Sequence, residues 1–396
     1  MTESTLEKSG PHGLDEHSHG GTAVPQSSRG HRFTSYDVEA FEVPGGREED
    51  WRFTPVKRLH GLHDGSAAAT GSLHVEVGGD SAVRVETVGR DDQRLGTAGA
   101  PADRVAAQAW CSFTEATVVT VPKDTQTAEP ITVTVHGPGK GETAYGHLQL
   151  RAEPLSESVV VLDYRGSGVI GENVELIAED SARLSVITIH DFSDDATQVS
   201  SEHVHLGKDA VFRHFAVTLG GDLVRVNTKV TFGDRGGDAD MLGVYFSDSG
   251  QHLEHRLLMD HAQPNCRSNV TYKGALQGDS ARSVWIGDVL IQAAAEGTDT
   301  FELNRNLVLT EGARADSVPN LEIETGEIVG AGHASAIGRF DDEQLFYLQA
   351  RGIPYDQARR LVVRGFFGEI LQKIPATDVR ERLEAAIDEE LAAVGA

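Results

Sequence analysis

From about residue 72 to residue 324, apolar side chains recur at every second position. That is the period of strands with one buried face. Leu73, Val75 and Val77 alternate with His74 and Glu76; Ile131, Val133 and Val135 alternate with threonines; residues 158–162 carry three consecutive valines. Each run is bounded by Gly, Asp, Asn or Pro, as strands are. Residues 103–108 read as one short helix. No longer helical pattern interrupts the block, which argues against βαβ units. Turn-then-strand units recur: Asp180-Ser181-Ala182, Lys208-Asp209-Ala210, Gly237-Asp238-Ala239 and Gly278-Asp279-Ser280-Ala281 each precede an apolar run. Their alanines step by 28, 29 and 42. Such irregular repetition suits stacked coils with one insertion, each coil burying its inward face on its neighbours. A sandwich or barrel fits the same alternation.

After residue 338 the pattern becomes helical. Asp341 is placed to cap a helix, with Gln344 at capping-box spacing, and Leu345, Phe346 and Leu348 form an apolar side. Gly352 closes that helix and Pro354 suits the first turn of the next, where Leu361, Val362, Gly365, Phe366 and Ile370 fall on one face. A third helix begins at Thr377, with Asp378 and Glu381 in its first turn, and carries Leu383, Ile387 and Leu391. Before these helices, Leu321 and Ile323 alternate with glutamates, and residues 330–335 read as a small-residue junction holding one imidazole, His333. The chain divides into a tail (1–30), an arm containing Trp51 (31–71), a β core (72–338) and a helical domain (339–396). The tail has few apolar residues and is expected to be disordered, its His12, His17 and His19 solvated.

A formal net charge of −26 argues against nucleic acid, which needs a basic surface, and against anionic membranes. No apolar run approaches a membrane span, and no apolar leader is expected. Two cysteines, Cys111 and Cys266, make no disulfide framework and fit a reducing cytoplasm. Cys111 follows Trp110 in an apolar setting and reads as a core cysteine. Cys266, in a loop-like stretch beside Arg267, reads as a plain free thiol or an activated one.

His203-x-His205 places two imidazoles on one face of a strand. With Glu202 or His214 they suggest a cupin-like metal site. His252, Glu254, His255 and His261 form a looser cluster. A β-helix enzyme acting on carbohydrate would need paired carboxylates, and no such pair stands out. No Walker A run is present, so no ATP site is expected in this chain.

The segment 320–375 resembles the SufB/SufD family of iron–sulfur cluster assembly proteins. The resemblance is carried by Gly338, by Asp342 to Leu348, by Arg351 to Ile353, and by Gly365, Phe366, Glu369 to Leu371, Ile374 and Pro375. Asn304-Arg305-Asn306-Leu307 and Tyr272-Lys273-Gly274 also fit, and the resemblance extends over roughly residues 51–375. It leans to SufD, whose members carry Cys-x-His at the position of residues 331–333. Here Ala331 stands where the cysteine is expected and only His333 remains. The resemblance implies a mainly β fold, a parallel β-helix core, and a non-catalytic scaffold subunit. It implies pairing with a SufB-like chain or a second copy, and docking of SufC, an ABC-type ATPase. Phe346, Tyr347, Arg351, Phe366 and Phe367 are the docking candidates, since these aromatics cannot all face one small core. A cluster takes about four thiolates, more than this chain holds. Any transient iron or cluster is therefore shared with a partner, with His333 as the candidate ligand.

Overall fold

The structure, a computed structural model, describes residues 32–339 and 342–393. His12, His17, His19 and Asp341 lie outside the described residues. β1 (His74–Gly78) and β2 (Arg84–Gly89) precede a helix, α1 (Arg104–Ser112), which Asp103 caps through the Ala106 amide. β3 (Glu115–Val121) and β4 (Ile131–His136) open the regular part. The chain then winds through β5 (Thr143–Ala152), β6 (Glu157–Gly166), β7 (Val169–Ala178), β8 (Arg183–Phe192), β9 (Thr197–Leu206) and β10 (Val211–Thr218). It continues through β11 (Leu223–Phe232), β12 (Asp238–Ser247), β13 (His252–His261), β14 (Arg267–Leu276), β15 (Arg282–Ile291) and β16 (Asp299–Val308). β17 (Arg314–Ile323) and β18 (Gly330–Arg339) end the β part. Even-numbered strands from β4 onward pair in parallel into a first nine-stranded sheet, with β1 antiparallel at its edge. Odd-numbered strands from β3 build a second nine-stranded sheet, with β2 antiparallel at its edge. The result is a parallel β-solenoid, each coil giving one strand to each sheet.

The recurring turn triplets are the corners between sheets. Ser181, Asp209 and Asn265 adopt left-handed backbone there, with φ of 57°, 54° and 60°. Each donates its amide to a carbonyl one coil further on: Lys208, Arg235 and Glu296 respectively. The bond to the next coil offsets the cost of a left-handed conformation in a residue with a Cβ. The spacing of 42 is not an insertion. Ala182 and Ala210 precede β8 and β10 of the first sheet, whereas Ala281 precedes β15 of the second.

Between the sheets lies one apolar core running the length of the solenoid, from Val119 and Val133 through Phe212 and Met241 to Trp285 and Ile291. The outer faces are covered separately. Trp51, Leu59 and Leu62 of the arm, with Val105 and Ala109 of α1, cover Tyr145, Val169, Val199 and Leu223 on the second sheet. The arm is held by Arg225, which pairs with Glu254 at 2.8 Å and lies over the Trp51 ring at 3.9 Å.

On the first sheet, α3 (Tyr355–Leu371) and α4 (Thr377–Ala393) cover Phe215, Val217, Leu242, Val244 and Phe246. α3 turns Val363, Phe367, Ile370 and Leu371 inward. This stripe is rotated from the face expected at Leu361, Val362, Gly365 and Phe366, because the sheet sets the helix orientation. Arg382 of α4 forks onto the buried Asp163 at 2.7 and 2.9 Å. Burial would raise the Asp163 carboxyl, but the hydrogen bonds from Arg382 and Arg165 outweigh it and hold it below the usual range.

The interior also carries polar groups. Glu172 accepts from Gln198, Glu202 accepts from Thr228 at 2.6 Å, and Thr188 bonds His214 at 2.9 Å. Burial pushes Glu172 and Glu202 each up to about 7, and holds His190 down at about 4 and His214 at about 3. Tyrosines stack inside where the facing coil offers glycine. A Cβ on Gly243 would meet the Tyr272 ring at 2.2 Å, and one on Gly274 the Tyr245 ring at 1.9 Å.

Phe367→Ala should destabilise the protein by about 3–5 kcal/mol in urea unfolding, since a fully buried ring would leave a cavity between helix and sheet. Glu202 binds its proton more tightly in the folded chain, so its contribution is full below its unfolded value and is lost as pH rises through about 7. Glu202→Gln removes that dependence. Its stability advantage over the parent should therefore grow by on the order of 2–3 kcal/mol between pH 5 and pH 8 in paired melts, and a pH-independent difference would refute the assignment.

Candidate functional site: the open C-terminal mouth

β17 and β18 are the terminal strands of the two sheets, and among the described residues no further coil covers them. Residues 330–335 therefore form part of an edge strand, not a junction: β18 pairs with β16 from Gly330 to Arg339. The small residues leave side-chain periodicity faint, but the backbone ladder is complete. Alternation points Ala331, His333 and Ser335 toward the solenoid axis. Ala331 packs on the interior core, while His333 is exposed, with no further coil above it among the described residues. Ser335 Oγ donates to Ser317 Oγ across the mouth at 2.7 Å.

One layer below, the inward face of β16 is polar: Thr300, Glu302, Asn304 and Asn306 are all buried. Asn304, Asn306 and Tyr245 form a closed ring of hydrogen bonds. The Tyr245 hydroxyl donates to Asn306 Oδ1 at 2.6 Å, Asn306 Nδ2 donates to Asn304 Oδ1 at 2.7 Å, and Asn304 Nδ2 donates to the Tyr245 hydroxyl at 3.0 Å. Glu302 lies outside this ring. Both its carboxylate oxygens are buried without a hydrogen-bond partner. Burial, with the nearby charge of Asp288, pushes its carboxyl up to about 8. Glu302 and His333 are neighbours in register on adjacent strands.

The docking candidates separate by exposure. Phe346 and Tyr347 on α2 (Asp342–Ala350) are 73% and 57% exposed, with the Arg351 guanidinium over the Tyr347 ring at 4.8 Å. Phe367 is fully buried against the first sheet, and Phe366 is partly buried. Lys273 explains part of the sequence pattern: its Nζ donates to the Phe366 carbonyl at 2.9 Å and to Glu369 Oε2 at 2.7 Å. It locks α3 onto β14.

The other candidate clusters are split by strand alternation. His203 and His205 face outward from the second sheet, whereas Glu202 and His214 face the interior, so they do not converge. His203 lies beneath the Gly99 loop and borders a cavity of about 120 Å³; burial holds its imidazole down at about 4. His255 and His261 point inward, while His252 and Glu254 point outward, bonded to each other at 3.1 Å. Among the described residues no three His, Cys, Asp or Glu side chains converge to hold a metal. Cys111 is exposed on α1 rather than in the core. Cys266 is a buried corner residue whose thiol is pushed up by burial, not activated by Arg267. Sequence reasoning missed Glu302. Its signal was Glu302-x-Asn304-x-Asn306, a polar alternation whose apolar partners Leu303 and Leu307 suggested the opposite face. Leu307 in fact packs beneath the helices.

Comparison with known proteins identifies the chain. The family described as "SUF system FeS cluster assembly, SufBD core domain" matches residues 134–366. An iron–sulfur cluster assembly SufBD family protein of Mycobacterium bovis is 64% identical over 370 residues, 92% of this chain and 93% of the relative. One of Mycobacterium leprae is 62% identical over 377 residues, covering 94% and 96%. The iron–sulfur cluster assembly protein SufD of Bacillus subtilis is 27% identical over 280 residues, covering 68% of this chain and 63% of that protein. The chain belongs to the SufBD family of iron–sulfur cluster assembly proteins.

Proposed function

We propose that this chain is a SufD-like scaffold subunit that pairs through its open C-terminal mouth with a SufB-like chain and docks a SufC-type ABC ATPase on its helical domain. The observation that carries the reading is the mouth itself: two terminal strands with free edges around an exposed interior containing His333, Ile323 and Ile337. Free strand edges are closed in folded proteins by pairing or covering. A partner solenoid presenting the same kind of end supplies both backbone pairing and a lid for the interior. The likeness to a Bacillus subtilis protein named SufD supports the SufD assignment. Iron or a nascent cluster is cargo here, held between chains, because this chain's two thiols are an exposed helix residue and a buried corner. The chain acts without catalysis of its own, in the cytoplasm.

The ATPase docks on α2. Phe346 and Tyr347 are the exposed aromatic pair, and aromatics of this kind anchor interfaces. Phe367 and most of Phe366 hold α3 to the sheet and act as support. Movement of the ATPase is transmitted through the locked α3–β14 contact to the coils near the mouth. Such coupling works through differential contacts in two states.

Phe346→Asp combined with Tyr347→Asp should abolish retention of the co-expressed ATPase in a pull-down and leave the melting temperature unchanged; full retention places docking elsewhere. On β17, the Glu324 amide bonds inward to Ile291, so the alternating Ile323 amide points to the free edge. Ile323→Pro should therefore weaken pairing with the SufB-like chain at least tenfold while circular dichroism stays unaltered. An unchanged dissociation constant by ultracentrifugation would remove this edge from the interface.

A further inference from the structure

A cleft of about 120 Å³ lies on the outer face of the second sheet, between the loop at residues 98–103 and the start of the arm. Two adjacent strands make its floor. Ser201 and His203 stand at alternate positions of β9, and Asn227 and Lys229 are their neighbours in register on β11. Ala98, Ala100, Ala102 and Leu258 supply apolar walls. The side chains of Arg32 and Lys229 at its rim are 34% and 36% exposed, so the cleft reaches the surface. Charge is matched within it. Arg32 pairs with Asp50 and Asp288, Arg225 with Glu254, Lys229 with Asp260, and Arg256 with Asp50. What is left over is hydrogen bonding. His203 is only 7% exposed, yet its Nε2 is buried without a partner. Gly99 closes over the other ring nitrogen, where a Cβ would lie 2.4 Å from Nδ1. Burial keeps this imidazole neutral, so it offers one donor and one acceptor. A buried ring nitrogen is costly unless something completes it.

We propose that this cleft binds a neutral, single-ring amide or lactam that hydrogen-bonds His203 Nε2. The volume sets the size: it is close to the roughly 150 Å³ that admits benzene in an apolar cavity. The ion pairs set the charge. A carboxylate or phosphate ligand would have to displace a carboxylate already paired with each cation, leaving a desolvated charge behind. An amide places an acceptor and a donor side by side. It therefore matches a neutral imidazole in either tautomer, along with the Ser201 hydroxyl and the Asn227 amide, each of which both donates and accepts. Water alone would complete the nitrogen but would gain nothing from the alanines and Leu258. Apolar walls around a few convergent polar groups are the usual make-up of a small-molecule site. The cleft lies on the sheet opposite the one that α3 and α4 cover.

The test uses the full-length chain with 2-pyridone and benzamide as probes, read by saturation-transfer NMR, and with acetate and inorganic phosphate as charged competitors. Both neutral probes should bind in the millimolar range and compete with each other, and neither anion should displace them. His203→Phe keeps the ring and removes its nitrogens. It should weaken 2-pyridone binding about three- to tenfold, the worth of one hydrogen bond, while the melting temperature holds or rises. Ala100→Phe fills the cleft from a partly exposed loop position and should abolish binding of both probes at an unchanged melting temperature. It keeps the test decisive if His203→Phe fails to fold. The inference is overturned if neither probe binds the parent, which leaves the cleft to water. It is equally overturned by displacement with acetate or phosphate, by binding that survives Ala100→Phe, or by unchanged 2-pyridone affinity in a folded His203→Phe variant. A lowered melting temperature with that unchanged affinity would make His203 a purely structural residue.

Discussion

The hydrogen-bonded register between coils is the constraint on which everything else depends. Each interior strand of the solenoid, such as β10 and β11, pairs in parallel with the strands one coil before and one coil after. A residue's face is therefore inherited along the whole sheet, and its lateral neighbours are fixed by position in the coil. This is why a tyrosine on one coil requires a glycine on the next, and why left-handed corner residues repeat with their amides handed to the following coil. It also explains how polar side chains come to stand in a file inside the molecule. Once Glu172, Glu202 or Glu302 falls on an inward position, no local adjustment returns it to water.

Much of the fold was legible because alternation in a solenoid is as regular as in any sheet. The strands at residues 131–135 and 211–218 could be read from it, as could the helix after Asp103. The face of each strand was harder. In most antiparallel sheets one face meets water, and apolar residues mark the inside. Here the first sheet buries both faces, one in the core and one under α3 and α4. Leu303 and Leu307 therefore carried no information about direction, and Glu302 was hidden behind them. His333 was visible through family resemblance. Its setting on an edge strand was not, since Gly330, Ala331, Gly332 and Ala334 give hardly any pattern to read. The metal readings built on His203 failed because spacing along a chain does not say which side of a sheet a neighbour from another strand will face.

The two outer coverings differ in what they leave free. The arm and α1 close the second sheet near its early coils, where Arg225 and Trp51 fasten them. The helices close the middle of the first sheet, fastened by Arg382 at one end and Lys273 at the other. The later coils are covered on neither side to the same extent, and Phe301, Ile323, Val329 and Ile337 remain exposed there. Exposed apolar side chains thus stand at the end where the interior is also polar and incomplete. This end therefore combines an apolar rim with a polar floor.

β18 has one more consequence. It is at once the rim of the mouth and the strand that leads into α2, ending at Arg339 where the helix begins at Asp342. A pull on α2 that runs along this strand is therefore carried by β18. Loaded in that direction, the backbone bonds from Gly330 to Arg339 share the strain in shear, instead of opening one at a time as in a peeled hairpin. The terminal strand is thereby a stiff tie-rod. Displacement of α2 along this line reaches the rim nearly undiminished, and His333, midway along the strand, travels with it.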